Sequence, residues 1–214
     1  MIAYASATGT KRNLDAMRAA GWRLMLTPLN RNPAGIRYCI DNGAFSCWTT
    51  GKPFDATGFR SLVAAAGRGA EFIVVPDVVT DAPATLAQFG PWYAELEPNG
   101  SRLLLALQDG MTRADVVPLL DQHPAAGLFL GGSTEWKLRT MIEWGGVAAE
   151  MGRYYHVARV NSARRIMHAQ AAGADSFDGT SVTRYAVTLP MLDACRRQSA
   201  LNFEQPATCA DRQV

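Results

Sequence analysis

With 214 residues, 48% of them apolar, and a formal net charge of +2, the chain can bury one sizeable core. That charge is too small to argue for a nucleic-acid partner by itself. No apolar run reaches the roughly 18 residues that span a bilayer, which excludes a helical membrane protein from the readings.

In chain order, residues 2–6 read as a first strand, and nothing in residues 1–7 resembles the basic start of a signal peptide. A soluble, cytoplasmic protein is therefore expected. Thr10 precedes a helix over 11–20, stopped by Gly21, and a second strand covers 23–27. The third strand, 38–41, ends on Asp41-Asn42-Gly43-Ala44-Phe45, a tight turn. Asp55 starts a helix over 57–67, and the strand 72–76 runs into Asp77. Asp81-Ala82-Pro83 opens the next helix, with proline in its first turn. Strand 103–107 ends on Gln108, and Thr112 with Asp115 forms a capping signature for a helix over 113–122. Strand 127–130 ends on Gly131-Gly132, and Ser133 heads a helix holding Trp136 and Met141. Strand 154–160 contains His156 and Arg159, Ser162 heads a helix over 163–172, and strand 176–178 closes on Asp178. A last helix carries Cys195.

Most strands are continuous apolar runs, as expected for parallel strands covered on both faces. Eight strands alternating with seven helices predict an α/β fold: a compact, single-domain (β/α)8 TIM-like barrel over residues 1–200, with 201–214 as a C-terminal arm or tail. A doubly wound open sheet is the competing architecture. The cysteines, Cys39, Cys47, Cys195 and Cys209, lack paired metal spacing, and no H-x-x-x-H occurs, so neither a metal nor a cofactor is expected. Cys39 and Cys195 read as reduced thiols in or near the core.

Four strands thus end in Asp41, Asp77, Gln108 and Asp178, the position from which a barrel presents catalytic groups. Asp178, followed by Gly179, could attack an anomeric carbon and form a covalent glycosyl intermediate, or could cap the next helix. Asp41 could be a general acid/base beside an apolar wall of Phe45 or Trp48, or an Asx-turn residue. Asp77 and Gln108 match the donor and acceptor edge of a purine. Gly131 and Gly132 could offer backbone N–H to a carbonyl or form a plain turn. His123, beside Pro124, is expected to be exposed, and His168 to be a surface or packing residue. His156 could face either the barrel interior or the helices. Arg159, Arg164, Arg165, Arg184, Arg196 and Arg197 read mainly as a solvated helical face, with a phosphate-contacting patch as the other reading.

Together these segments resemble the tRNA-guanine transglycosylase superfamily. Gly173-Ala174-Asp175-Ser176-Phe177-Asp178, followed by Thr183-Arg184, is similar to that family's motif around its nucleophilic aspartate. Asp41-Asn42-Gly43-Ala44-Phe45 is similar to its Asp-Ser-Gly-Gly-Phe, and the stretch 127–132 to its glycine-rich strand end. The resemblance covers roughly residues 38–190. It implies Asp178 as nucleophile, Asp41 as acid/base, and Asp77, Gln108, Gly131, Gly132 and Phe45 around the base. Arg159 and Arg184 would meet the nucleic-acid backbone. The family's cysteine-rich zinc subdomain has no counterpart here, which favours the short, zinc-free DNA-modifying branch found in phage and bacterial modification clusters. The partners implied are DNA, with a flipped or single-stranded guanosine, and a 7-deazaguanine such as preQ0 or preQ1. The alternatives are tRNA as polymer, a barrel enzyme for a small sugar or nucleoside, and a non-catalytic nucleic-acid-binding module. Oligomeric state stays open.

Overall fold

The computed structural model describes residues 1–6, 10–30 and 35–198; the expected arm over 201–214, with Cys209, lies outside them. The chain runs β1 (Ile2–Ser6), α1 (Lys11–Ala19), β2 (Arg23–Leu26), β3 (Tyr38–Ile40), α2 (Ala44–Thr49), α3 (Ala56–Ala66) and β4 (Phe72–Val74). It continues through α4 (Ala82–Leu96), β5 (Arg102–Leu107), α5 (Arg113–Gln122), β6 (Gly127–Leu130), α6 (Thr134–Glu150), β7 (Tyr155–Val157) and α7 (Ala163–Ala171). β8 (Ser176–Gly179), α8 (Ser181–Arg184) and α9 (Leu189–Arg197) follow. The strands pair in parallel in sequence order, and β8 returns to β1 with Tyr4 opposite Asp178. This is the closed (β/α)8 barrel and not the open sheet.

Strand alternation divides the apolar residues between two cores. Outward-facing Ala3, Leu24, Ile40, Ile73, Leu105, Leu128 and Val157 pack under the helices. Inward-facing Tyr4, Met25, Cys39, Phe72, Leu104 and Phe129 fill the lumen. The inner face is therefore a packed plug up to the level of the strand ends, as in a barrel whose layers are side chains and not a pore. Each fully buried large apolar residue contributes on the order of 1.5–3 kcal/mol.

The helices stand where their caps predict. Asp55, Asp81 and Ser133 each accept a backbone N–H from the first turn, and Thr112 and Asp115 close a capping box. Four local expectations are corrected. The turn after Asp41 is the start of α2: Gly43, at φ +83°, lets the chain swing straight from strand to helix. β4 stops at Val74, two residues short of Pro76, which has no N–H to continue the ladder. β7 covers only Tyr155–Val157, and Arg159 just beyond it takes a left-handed φ of +57°. His123 is also not the exposed residue expected; its ring lies 4.4 Å from that of Tyr93 and 5.3 Å from that of Phe89.

Candidate active site

A cavity of about 350 Å³ opens at the C-terminal end of the barrel. Asp41, Asp77, Gln108, Gly131, Gly132 and Asp178 line it, with Phe45, Arg159, Asn161 and Thr180. All the strand-end residues singled out in the sequence therefore meet in one place. Arg184 does not: it lies exposed on α8, outside the cavity lining.

The wall built by β7 and β8 holds Asp178. Its Oδ1 lies 3.0 Å from His156 Nε2 and accepts the Arg159 backbone N–H at 3.1 Å. Oδ2 makes no hydrogen bond among the described residues. His156 is wholly buried in the lumen, stacked on Phe129 with 4° between rings and 4.9 Å between centroids. Burial lowers its pKa, so the ring is neutral near pH 7. Its other nitrogen, Nδ1, lies 2.7 Å from Ser176 Oγ, which accepts from the Tyr154 hydroxyl at 2.8 Å. These partners fix one tautomer: Tyr154 donates to Ser176, Ser176 donates to Nδ1, and Nε2–H donates to Asp178.

Two basic residues flank this wall. Lys137, only 1% exposed, donates from Nζ to the Ala158 carbonyl. Burial lowers its pKa to about 7, with Arg159 adding to the shift and Asp178 opposing it. Arg159 donates to the Gly132 carbonyl and lays its guanidinium 4.3 Å over the Phe45 ring, which itself lies 5.8 Å from the Trp48 ring. Because β7 and β3 are opposite strands of the ring, the Arg159–Phe45 contact spans the mouth of the cavity.

The wall from β3 to β6 is built differently. Asp77 accepts from Asn42 Nδ2 on Oδ1 and from Gln108 Nε2 on Oδ2, both at 2.7 Å. Asn42 also donates to Val75 O at 3.0 Å and accepts the Ala44 N–H at 2.7 Å. Gln108 is oriented in turn by the Thr80 N–H on its Oε1 at 3.2 Å. Burial raises Asp77 to about 6. Gly132, at φ +63°, turns the chain sharply after β6; a Cβ there would stand 2.6 Å from the Trp136 ring and 2.7 Å from Asp109 Oδ2. Asp109 ties this turn down by accepting from Ser133 N and Oγ, both at 2.5 Å.

Asp41 sits between the two walls. Burial, then the charges of Asp178 and Asp77, raise its carboxyl to about 7, against the pull of the Gly43 and Asn42 amides. Beyond those two backbone amides it has no side-chain partner among the described residues, and its proton can move near neutral pH. Among the described residues, no group of three or more His, Cys, Asp or Glu side chains is arranged to hold a metal ion.

The side chains of Asn42, Lys137, Asn161 and Thr180 carry no functional expectation from sequence, and His156 reads toward either face of its strand. Asn42 hides in what reads as a turn. Lys137 had a detectable signal: with Met141, Trp144 and Ala148 it falls on the helical stripe that packs against the barrel.

No protein-family model and no curated protein matches the chain. Among solved structures it is similar to Yersinia pestis DHPS with a pterine-sulfa conjugate, at a TM-score of 0.56 and 9% sequence identity. That likeness covers 92% of this chain and 94% of the DHPS chain and extends to the barrel fold alone. No helix among the described residues is long and apolar enough to cross a membrane.

Proposed function

We propose that the protein is a guanine transglycosylase acting on DNA, exchanging guanine for a 7-deazaguanine by double displacement. The observation that carries this reading is the contrast among three carboxyl groups around one cavity. Asp178 is held by one oxygen and bare at the other, Asp77 is bound at both oxygens by side-chain amides, and Asp41 meets no side-chain partner, only the backbone amides of Gly43 and Asn42.

A carboxylate with one free oxygen, fixed in direction by its bonded one, suits attack on carbon. Asp178 Oδ2 attacks C1′ of the target deoxyguanosine as the C1′–N9 bond breaks, through an oxocarbenium-like transition state. The bond's electron pair leaves with the base, which takes a proton from Asp41. A 7-deazaguanine then occupies the same place, returns a proton to Asp41, and its ring nitrogen attacks C1′ to release the Asp178 carboxylate. Two inversions give net retention. Asp77 and Gln108 offer an acceptor and an amide to the purine-like edge, with backbone N–H of the Gly131-Gly132 turn near its carbonyl. The site is too recessed for a stacked base, so the nucleotide is flipped or unpaired.

The test is to incubate the protein with radiolabelled guanine or a labelled 7-deazaguanine and either DNA or tRNA. Label is expected in DNA. Label in tRNA alone would change the polymer, and label in neither would remove the transglycosylase reading.

A further inference from the structure

Around the C-terminal rim the helix starts are not charged alike. In the ring order β7, β8, β1, helices α7, α8 and α1 begin side by side, and Thr183 of α8 donates to Ser6 O of β1 at 3.0 Å. The first turns of α7 and α1 carry Arg164 with Arg165 and Lys11 with Arg12, the short α8 between them ends on Arg184, and none of the three has an acid in its first turn. Among the described residues none of these five cations forms an ion pair. On the opposite sector Asp55, Asp81 and Asp115 cap or open α3, α4 and α5, and Arg113 is paired with Glu150 at 2.5 Å.

The acidic sector follows from helix stability, because a helix start favours negative charge. The basic sector opposes it: a cation in the first turn works against the macrodipole by roughly 0.3–1 kcal/mol. Two such pairs, on the helices that follow β7 and β1, are not explained by folding. They stand on either side of β8, the strand that carries Asp178, next to Tyr185 and Val187, which are 58% and 88% exposed.

We propose that this crescent seats the sugar-phosphate backbone of a nucleic acid, with phosphates flanking the target nucleotide on Lys11, Arg12, Arg164, Arg165 and Arg184. The acidic sector repels the strand and so fixes the side on which it enters. The proposal rests on the reading of the cavity as a site for one nucleotide within a polymer, but its test needs no turnover.

Binding of a fluorescein-labelled, guanine-containing single-stranded oligodeoxynucleotide to the full chain is followed by anisotropy over a salt series. Lys11→Glu with Arg12→Glu, and separately Arg164→Glu with Arg165→Glu, are expected to weaken binding by about tenfold or more. Each pair should also flatten the slope of log affinity against log salt by about 1.4, at about 0.7 per contact on a single strand. Arg68→Glu with Arg139→Glu, the same charge change away from the rim, should stay within about twofold. Equal losses in that control pair, no loss in either crescent pair, or no binding by the wild type would overturn the proposal. So would crescent-dependent binding to anionic phospholipid vesicles with none to the oligonucleotide. Crescent-dependent binding without guanine exchange would instead overturn the transglycosylase reading and leave the crescent in place.

Discussion

The two walls of the cavity hold their carboxylates in opposite ways. On the β7–β8 side, Asp178 is fixed at one oxygen by His156 and a backbone N–H, and interacts electrostatically with Lys137 and Arg159. On the β3–β5 side, both oxygens of Asp77 are taken by the amides of Asn42 and Gln108. A carboxylate held at both oxygens by neutral amides is a poor nucleophile and, with a lone pair left on each oxygen, a good fixed acceptor. A carboxylate with one bare oxygen and positive charge nearby is directed and reactive. The same residue type at the same height in the barrel is thereby given two tasks.

Removing the bare oxygen is the harshest break of this contrast. Asp178→Asn is expected to lower exchange by roughly 10⁴-fold or more, as nucleophile loss does in other covalent enzymes. No covalent protein–nucleic acid adduct should be trapped on denaturing gels; an adduct at wild-type level would end its role as nucleophile.

Asp41, between the walls, comes next. Asp41→Asn should cost about 10²–10⁴-fold in turnover, the usual range for a general acid/base. With the carboxyl near 7, the wild-type base-release step should slow as pH rises through about 7, and the variant should lose that limb. The same shift bears on folding. Asp41 and Asp77 hold protons in the folded chain that the unfolded chain gives up near pH 4. Their contribution is full below about pH 4 and is lost as pH rises through about 6 to 7. Melting temperature should therefore fall from pH 5 to pH 8, and both Asp→Asn variants should flatten the fall.

On the recognition wall the expected loss is smaller and of another kind. Asp77→Asn turns one of two acceptors into a donor facing the Asn42 or Gln108 amide. The KM for the free base should rise about tenfold to a hundredfold, from about 1–3 kcal/mol per mismatched buried partner, with kcat less affected. A kcat loss at unchanged KM would place Asp77 on the reactive wall instead.

The barrel and the convergence of strand-end residues were legible in sequence because parallel strands make runs of Val, Ile and Leu, and a break from that run marks the mouth. Asp41, Asp77, Gln108 and Asp178 stand out for this reason. What grips them does not. Whether His156 faces lumen or helices depends on register, and both faces of β7 are buried, so alternation carries no polarity contrast. Asn42 was masked by a turn signature that starts α2. That Arg184 stands on the rim and outside the cavity lining depends on a short helix after Thr180 that periodicity does not reveal. The rim's charge asymmetry needed the ring order, which brings residues 11 and 165 to the two sides of β8.

The last contrast lies within the reactive wall, between the residue that touches Asp178 and the one that only orients it. His156→Asn removes the side-chain donor on Oδ1 and leaves Ser176 without its acceptor, so kcat should drop about tenfold to a hundredfold with KM unchanged. Ser176→Ala keeps the imidazole but removes the proton donor to Nδ1. The ring can then put its proton on either nitrogen, and in one of those forms a lone pair faces the Asp178 carboxylate. Its expected cost is only a few-fold in kcat, because the carboxylate itself still favours the Nε2–H form. NMR of the imidazole nitrogens separates this account from simple loss of packing. Nε2 should be the protonated nitrogen in the wild type and only partly so in the variant. A variant that lost kcat with the wild-type tautomer intact would show that Ser176 acts through packing and not through His156.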